Sequence, residues 1–120
     1  MMTVNIEKLV IDHLNADGTL GDYPASLSIP AERPRRFITV ERVGGGDGLL
    51  FATPLLSVQI WDSSRWNASD ASTRLVKLSL LNLVKHDEIG AVDILSIINN
   101  PDPESGQSRY QINIQASVKA

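Results

Sequence analysis

The stretch Tyr110-Gln111-Ile112-Asn113-Ile114-Gln115-Ala116-Ser117-Val118-Lys119 decides the fold class, because apolar and polar residues alternate along it without a break. Successive strand side chains point to opposite faces, so this period of two predicts a strand with one dry face and one wet face. Upstream of it, Pro101-Asp102-Pro103-Glu104-Ser105-Gly106 spells a turn, and the run from Ala91 to Ile98 is apolar on both faces apart from Asp93 and Ser96. These two runs predict a closing pair of strands. Two more strands are expected earlier. One spans about 54 to 62, with Leu56, Val58 and Ile60 opposite Ser57, Gln59 and Trp61. The other runs from Arg36 to Val43, with Phe37, Thr39, Glu41 and Val43 opposite Ile38, Val40 and Arg42. Between them, Gly44-Gly45-Gly46-Asp47-Gly48 followed by Leu49-Leu50-Phe51 reads as a flexible hairpin loop.

Helices fill the rest. Ile6, Leu9, Val10, His13 and Leu14 repeat at helical spacing, which predicts a helix over about 4 to 16. Thr3 is the expected N-cap, and Asp17-Gly18 the stop, with glycine in the left-handed conformation. Residues 17 to 35 carry Gly18, Gly21, Pro24, Pro30 and Pro34 and read as irregular, with a short strand near Ala25 to Ile29. A second helix is expected to open at Asn67-Ala68-Ser69-Asp70 and run to about His86. Leu75, Val76, Leu78, Leu80, Leu81, Leu83 and Val84 cover most of its circumference. Only a narrow wet stripe of Arg74, Lys77 and Lys85 is left, with Leu81 inside it. A surface helix needs one apolar face. This one has a surplus, which fits a sandwiched helix or one that touches a neighbouring chain. The order α-β-β-α-β-β predicts an α+β fold: a mostly antiparallel sheet of four to five strands with two helices.

A chain of 120 residues suits one domain, 1-120, with a core large enough to stand without staples. It contains no cysteine, so disulfides, thiolate metal sites and cysteine nucleophiles are excluded. The opening Met1-Met2-Thr3-Val4-Asn5-Ile6-Glu7-Lys8 shows neither a basic leader nor a long apolar run, so no signal peptide and no membrane association are expected. A net charge of −3 argues against tight non-specific binding to nucleic acid.

No chemistry-bearing constellation emerges from the motifs. The glycine stretch at 44 to 48 leads into Leu49-Leu50-Phe51 and a strand, not into a helix N-terminus with a following lysine, so it does not fit a phosphate cradle. His13 and His86 lie far apart in the sequence, each on a helix, and predict no metal site; His86 suits the end of the second helix, where positive charge complements the dipole. Neither a calcium loop nor a nucleophile elbow occurs. No cofactor and no catalytic residue are expected. Arg33-Pro34-Arg35-Arg36 concentrates guanidinium groups on a stiff extended segment, which fits a solvated strand entry or a grip on a partner's carboxylates. Trp61 stands on the polar-alternating face of its strand, where either core packing or a second covering layer would account for it.

Taken together, the N-terminal helix Val4-Asn5-Ile6-Glu7-Lys8-Leu9-Val10, the run Ile29-Pro30-Ala31-Glu32-Arg33-Pro34-Arg35-Arg36-Phe37-Ile38-Thr39-Val40-Glu41-Arg42, a Gly-Gly stretch and Val58-Gln59-Ile60-Trp61 resemble the tail terminator (tail completion, head-tail joining) proteins of long-tailed bacteriophages, the actinobacterial-phage type above all. The resemblance spans nearly the whole chain, and Arg-Pro-x-Arg-Phe-x-Thr-Val carries most of it. It implies a non-enzymatic virion protein that acts at the head-proximal end of the tail after assembly in the host cytoplasm. Copies would form a ring of six that caps the tail tube, ends tail polymerisation and docks the head completion or connector protein. DNA would pass through the lumen without sequence-specific binding. The arginine run, the glycine stretch, Trp61 and the apolar second helix are the candidates for such interfaces: Arg33, Arg35, Arg36, Gly45, Asp47, Leu49, Trp61, Arg65, Trp66 and Leu81. Another head-tail connector or head completion protein shares the same outline, and a small ligand-binding protein or enzyme would need a deep polar pocket.

Overall fold

The computed structural model describes residues 3–119, so the reading of Met1 and Met2 lies outside the described residues. Five strands form one mixed sheet in the order β1-β2-β3-β5-β4, with β1 Ala25–Ser26, β2 Phe37–Asp47, β3 Phe51–Asp62, β4 Ile89–Asn99 and β5 Ser108–Lys119. The pairs β2-β3, β3-β5 and β5-β4 are antiparallel, while β1 joins β2 in parallel. The fold is α+β, as the sequence order predicts. The expected short strand is present, but it is only two residues long. Asn15 brackets it from the side, accepting the Ala25 N–H at 2.8 Å and donating to the Ala25 carbonyl at 2.9 Å.

Helix α1 spans Ile6–Ala16 and starts later than the sequence reading, because Asn5, not Thr3, is the N-cap: its side chain accepts the Lys8 N–H at 3.1 Å. An asparagine at this position satisfies an amide that has no partner within the helix. The stop also differs. No positive φ is used at Gly18; the Asp17 carboxylate instead accepts from the Thr19 N–H and hydroxyl and opens a short 3₁₀ turn, Gly18–Leu20.

The second helical segment begins at Arg65, ahead of the expected Asn67, because Ser64 caps it by accepting the Asn67 N–H. It is α-helical over Arg65–Ala71 (α2), passes through a π turn at Ser72–Val76, resumes as Lys77–Leu81 (α3) and tightens to 3₁₀ over Asn82–Lys85. The Ser72 hydroxyl donates back to the Ser69 carbonyl at 2.9 Å at the start of the wide turn. The wide turn offsets the helical phase of α3 from that of α2. Ser79, Leu80 and Leu83 face inward, whereas Leu78, Leu81 and Val84 stay exposed.

All three helical elements contribute to one face of the sheet. Ile6, Val10 and Leu14 of α1, with Ala71, Val76, Leu80 and Leu83, pack against Ile38, Val40, Leu56, Val58, Ile60, Ile112, Ile114, Ala116 and Val118. Each fully buried Leu, Ile or Val contributes about 1.5–3 kcal/mol by leaving water.

The glycine stretch is a strand, which corrects the loop reading. Gly44, Gly45, Gly46 and Asp47 pair with Leu55, Pro54, Thr53 and Ala52, and the turn closes later, where the Gly48 N–H donates to the Phe51 carbonyl at 2.8 Å. Gly45 has φ +95°, and a Cβ there would lie 2.1 Å from the Thr53 carbonyl oxygen, so the close approach of the two backbones requires glycine.

Candidate assembly surfaces

The arginine run is anchored in its own chain. Arg36 Nε donates to Asp62 Oδ2 at 3.1 Å, and its guanidinium lies near Asp22 and over the Tyr23 ring. Arg33 Nη1 donates to Ser105 Oγ at 2.9 Å and pairs with Asp102 at 3.6 Å, tying this segment to the turn before β5. Arg35 Nε donates to Ser63 Oγ at 2.8 Å and is itself exposed.

Asp62 is the hub of this end of the sheet. Its buried carboxylate accepts from the Tyr23 hydroxyl at 2.6 Å, the Ser64 N–H at 3.1 Å and Arg36. Burial alone would raise its pKa, but the Tyr23 and Ser64 hydrogen bonds and the Arg36 charge hold it below the ordinary carboxylate value. Burial, and then the bond to Asp62, push the Tyr23 phenol well up.

Trp61, the preceding residue of β3, points to the opposite face of the sheet. It is 2% exposed, stacks on Phe37 at 5.0 Å between centroids, and lies under the guanidinium groups of Arg109 at 4.8 Å and Arg33 at 5.5 Å. Its indole N–H donates to Thr39 Oγ1 at 3.0 Å. The covering layer over Trp61 is therefore this chain's own arginines.

The other expected interface residues lie at the surface in separate places. Arg65 and Trp66 open α2, and Trp66 is 82% exposed. Leu49, at the β2-β3 turn, is 85% exposed beside exposed Leu50 and Phe51. Gly45 and Asp47 lie in the exposed far half of β2, and Leu81 belongs to the exposed stripe with Leu78 and Val84. The structure thus ties Arg36 to Asp62 and Tyr23, sets Trp61 under Arg33 and Arg109, and leaves Arg65, Trp66, Leu49 and Leu81 as outward groups.

The sheet face away from the helices is polar. Thr39 donates to Gln59, Gln59 to Ser57, Gln111 to Asn113 and Asn113 to Ser96, a lattice of uncharged amides and hydroxyls across four strands. No residue of this lattice was singled out by the sequence reading, although the wet half of the 110–118 alternation is what builds it.

The histidines, far apart in sequence, meet in space. His13 Nε2–H donates to the Ser79 carbonyl at 2.7 Å, which leaves His13 Nδ1 to accept from His86 Nε2–H at 2.9 Å. Burial lowers the His13 pKa; the Ser79 bond opposes this, and the His86 and Lys85 charges add to it. An open groove of about 510 Å³ beside the pair is lined by Val4, Lys8, Leu9, Asp12, Lys85 and Glu88 among others. Among the described residues no group of three or more His, Cys, Asp or Glu side chains gathers to hold a metal, and no helix is long and apolar enough to cross a membrane.

No family model matches the chain, and no curated protein matches it. Solved structures share its fold. A chain from the virion of a native gene transfer agent (GTA) particle superposes with a TM-score of 0.74 over 96% of this chain and 95% of that chain, with 11% identical residues. At that identity the likeness is one of fold.

Proposed function

We propose that this protein is a structural subunit of a virion, a tail terminator whose copies form a ring of six at the head-proximal end of the tail. The observation that carries the reading is the fold likeness, end to end in both chains, to a chain of a gene transfer agent virion. The tail-terminator resemblance of the sequence supplies the position: the ring caps the tail tube, ends its polymerisation and offers a face to the head completion or connector protein. Surplus exposed apolar surface on the second helical segment and at the β2-β3 turn supports a subunit with neighbours, because contiguous apolar surface of this kind marks interaction sites. Arg65, Trp66, Leu49 and Leu81 are the outward groups offered to those neighbours. Trp61, Arg33 and Arg36 serve from within, holding the end of the sheet in shape. The uncharged lattice on the helix-free face suits a lumen through which DNA moves without sticking.

The reading is tested by labelling. Antibody-gold against this protein on intact particles should mark one place, the junction of head and tail. Particles assembled without it should carry tails of uncontrolled length and no heads. Label along the tail shaft, or on the head shell, would overturn the assignment.

A further inference from the structure

We propose that the two edges of the sheet pair with each other between copies: β4 of one copy adds to the far half of β2 of the next, so that one sheet runs on from subunit to subunit. The inference rests on the ring reading and names the contact that would build it.

Among the described residues both edges are open. β4 is flanked only by β5, runs for 11 residues and carries a single charge, Asp93, with Leu95 and Ile98 exposed along it. A long, nearly uncharged edge strand is a template for pairing unless something covers it. On the opposite side, β1 flanks β2 only at Ile38 and Thr39. Glu7 Oε2 then accepts the Arg42 N–H at 3.0 Å, closing that position. Beyond it, residues 43–46 have a strand on one side only.

The two open edges match. The cross-sheet row Arg42, Leu56, Ile114, Ile94 runs from one edge to the other, as does the next row, Gly44, Leu55, Gln115, Asp93. Each edge strand carries a bulge beside these rows. Val43 is the extra residue on β2 and is 55% exposed; Leu95 is the extra residue on β4 and is 54% exposed. A second copy that continues the rows therefore brings Val43 within about one residue of Leu95, some 3.3 Å along the strand. Gly44, Gly45 and Gly46 present no side chains to hinder the approach. Direction agrees as well. Three successive antiparallel pairings make β2 and β4 opposite in sense, so copies related by rotation about an axis along the strands pair antiparallel, the pattern the sheet already uses. Two different edges in contact make a head-to-tail interface, the kind that closes into a ring.

The absence of native cysteine makes the test direct. Neighbouring strands lie about 4.8 Å apart, within disulfide range, so the Val43→Cys/Leu95→Cys double variant should oxidise to a covalent ladder that stops at the ring number. Each single variant should stay monomeric on a non-reducing gel. Wild-type protein that is multimeric by light scattering, while the double-cysteine variant gives no ladder, overturns the edge contact and leaves the ring standing. Covalent dimers from Leu95→Cys alone overturn it in favour of a two-fold β4 contact. A monomeric mass at every concentration, with no ladder, overturns both the edge contact and the self-assembled ring.

Discussion

Replacing Asp62 with alanine should be the most damaging single change at the arginine end of the sheet. The carboxylate is fully buried and accepts from four donors at once: the Tyr23 hydroxyl at 2.6 Å, the Arg36 guanidinium at 3.1 Å, the Ser64 N–H at 3.1 Å and the Ser63 hydroxyl at 3.4 Å. Removing one member of a partly buried charged network costs about 3–5 kcal/mol, because the remaining charge and donors keep their desolvation without their acceptor. At this chain length roughly 3–5 °C of melting temperature is lost per kcal/mol, so Asp62→Ala should melt about 10–20 °C below wild type. Asp62→Asn keeps an acceptor for part of the set and should lose about half as much. Urea titration and calorimetry read both variants. The pH dependence gives a second reading. The Asp62 carboxyl is held below its ordinary value, so the unfolded chain takes up the proton first as pH falls. Its stabilising contribution is complete above the unfolded value of about 3.9 and is lost as pH drops through the folded value. Wild type should therefore lose more stability than Asp62→Ala on acidification through that window. A loss under about 1 kcal/mol for Asp62→Ala, or identical acid profiles, would refute the claim that Asp62 is the hub holding Arg36 and Tyr23.

Three further expectations follow from the geometry. Gly45→Ala should destabilise by about 1–3 kcal/mol or more by urea titration, since φ +95° strains any side chain and the new Cβ meets the Thr53 carbonyl. The folded state lowers the His13 pKa, so its contribution is intact above about pH 6.5 and falls as the pH drops through the folded value; His13→Asn should flatten stability between pH 7.5 and 5. Leu78→Lys with Leu81→Lys should change monomer stability by no more than about 0.5 kcal/mol in chemical denaturation, because both side chains are exposed, yet weaken assembly in light scattering.

What the sequence made legible follows from the range of the forces involved. The alternation at 110–118 and the helical spacing of Ile6, Val10 and Leu14 report one face against water, and both elements lie where that pattern puts them. Features that depend on backbone geometry were hidden. Three glycines in a row read as a loop, because nothing local announces that Pro54 and Thr53 pair with them. The apolar surplus of the second helical segment was visible, and Leu81, read within its wet stripe, is exposed together with Leu78 and Val84. The contact between His13 and His86 joins residues that only the tertiary fold brings together. Of the expected interface set, the charged members proved hardest to place. Arg33 and Arg36 look outward in a strand entry, yet Asp102 and Asp62 draw them into the chain's own fabric.

Absolute mass in solution, by light scattering after size exclusion over a range of protein and salt concentrations, separates a ring from a lone subunit. A ring of six gives a defined species of about 79 kDa, six times the 13.1 kDa subunit, since a closed ring stops at a fixed number. A particle that stays at 13.1 kDa under every condition, or one that grows without limit, would contradict it.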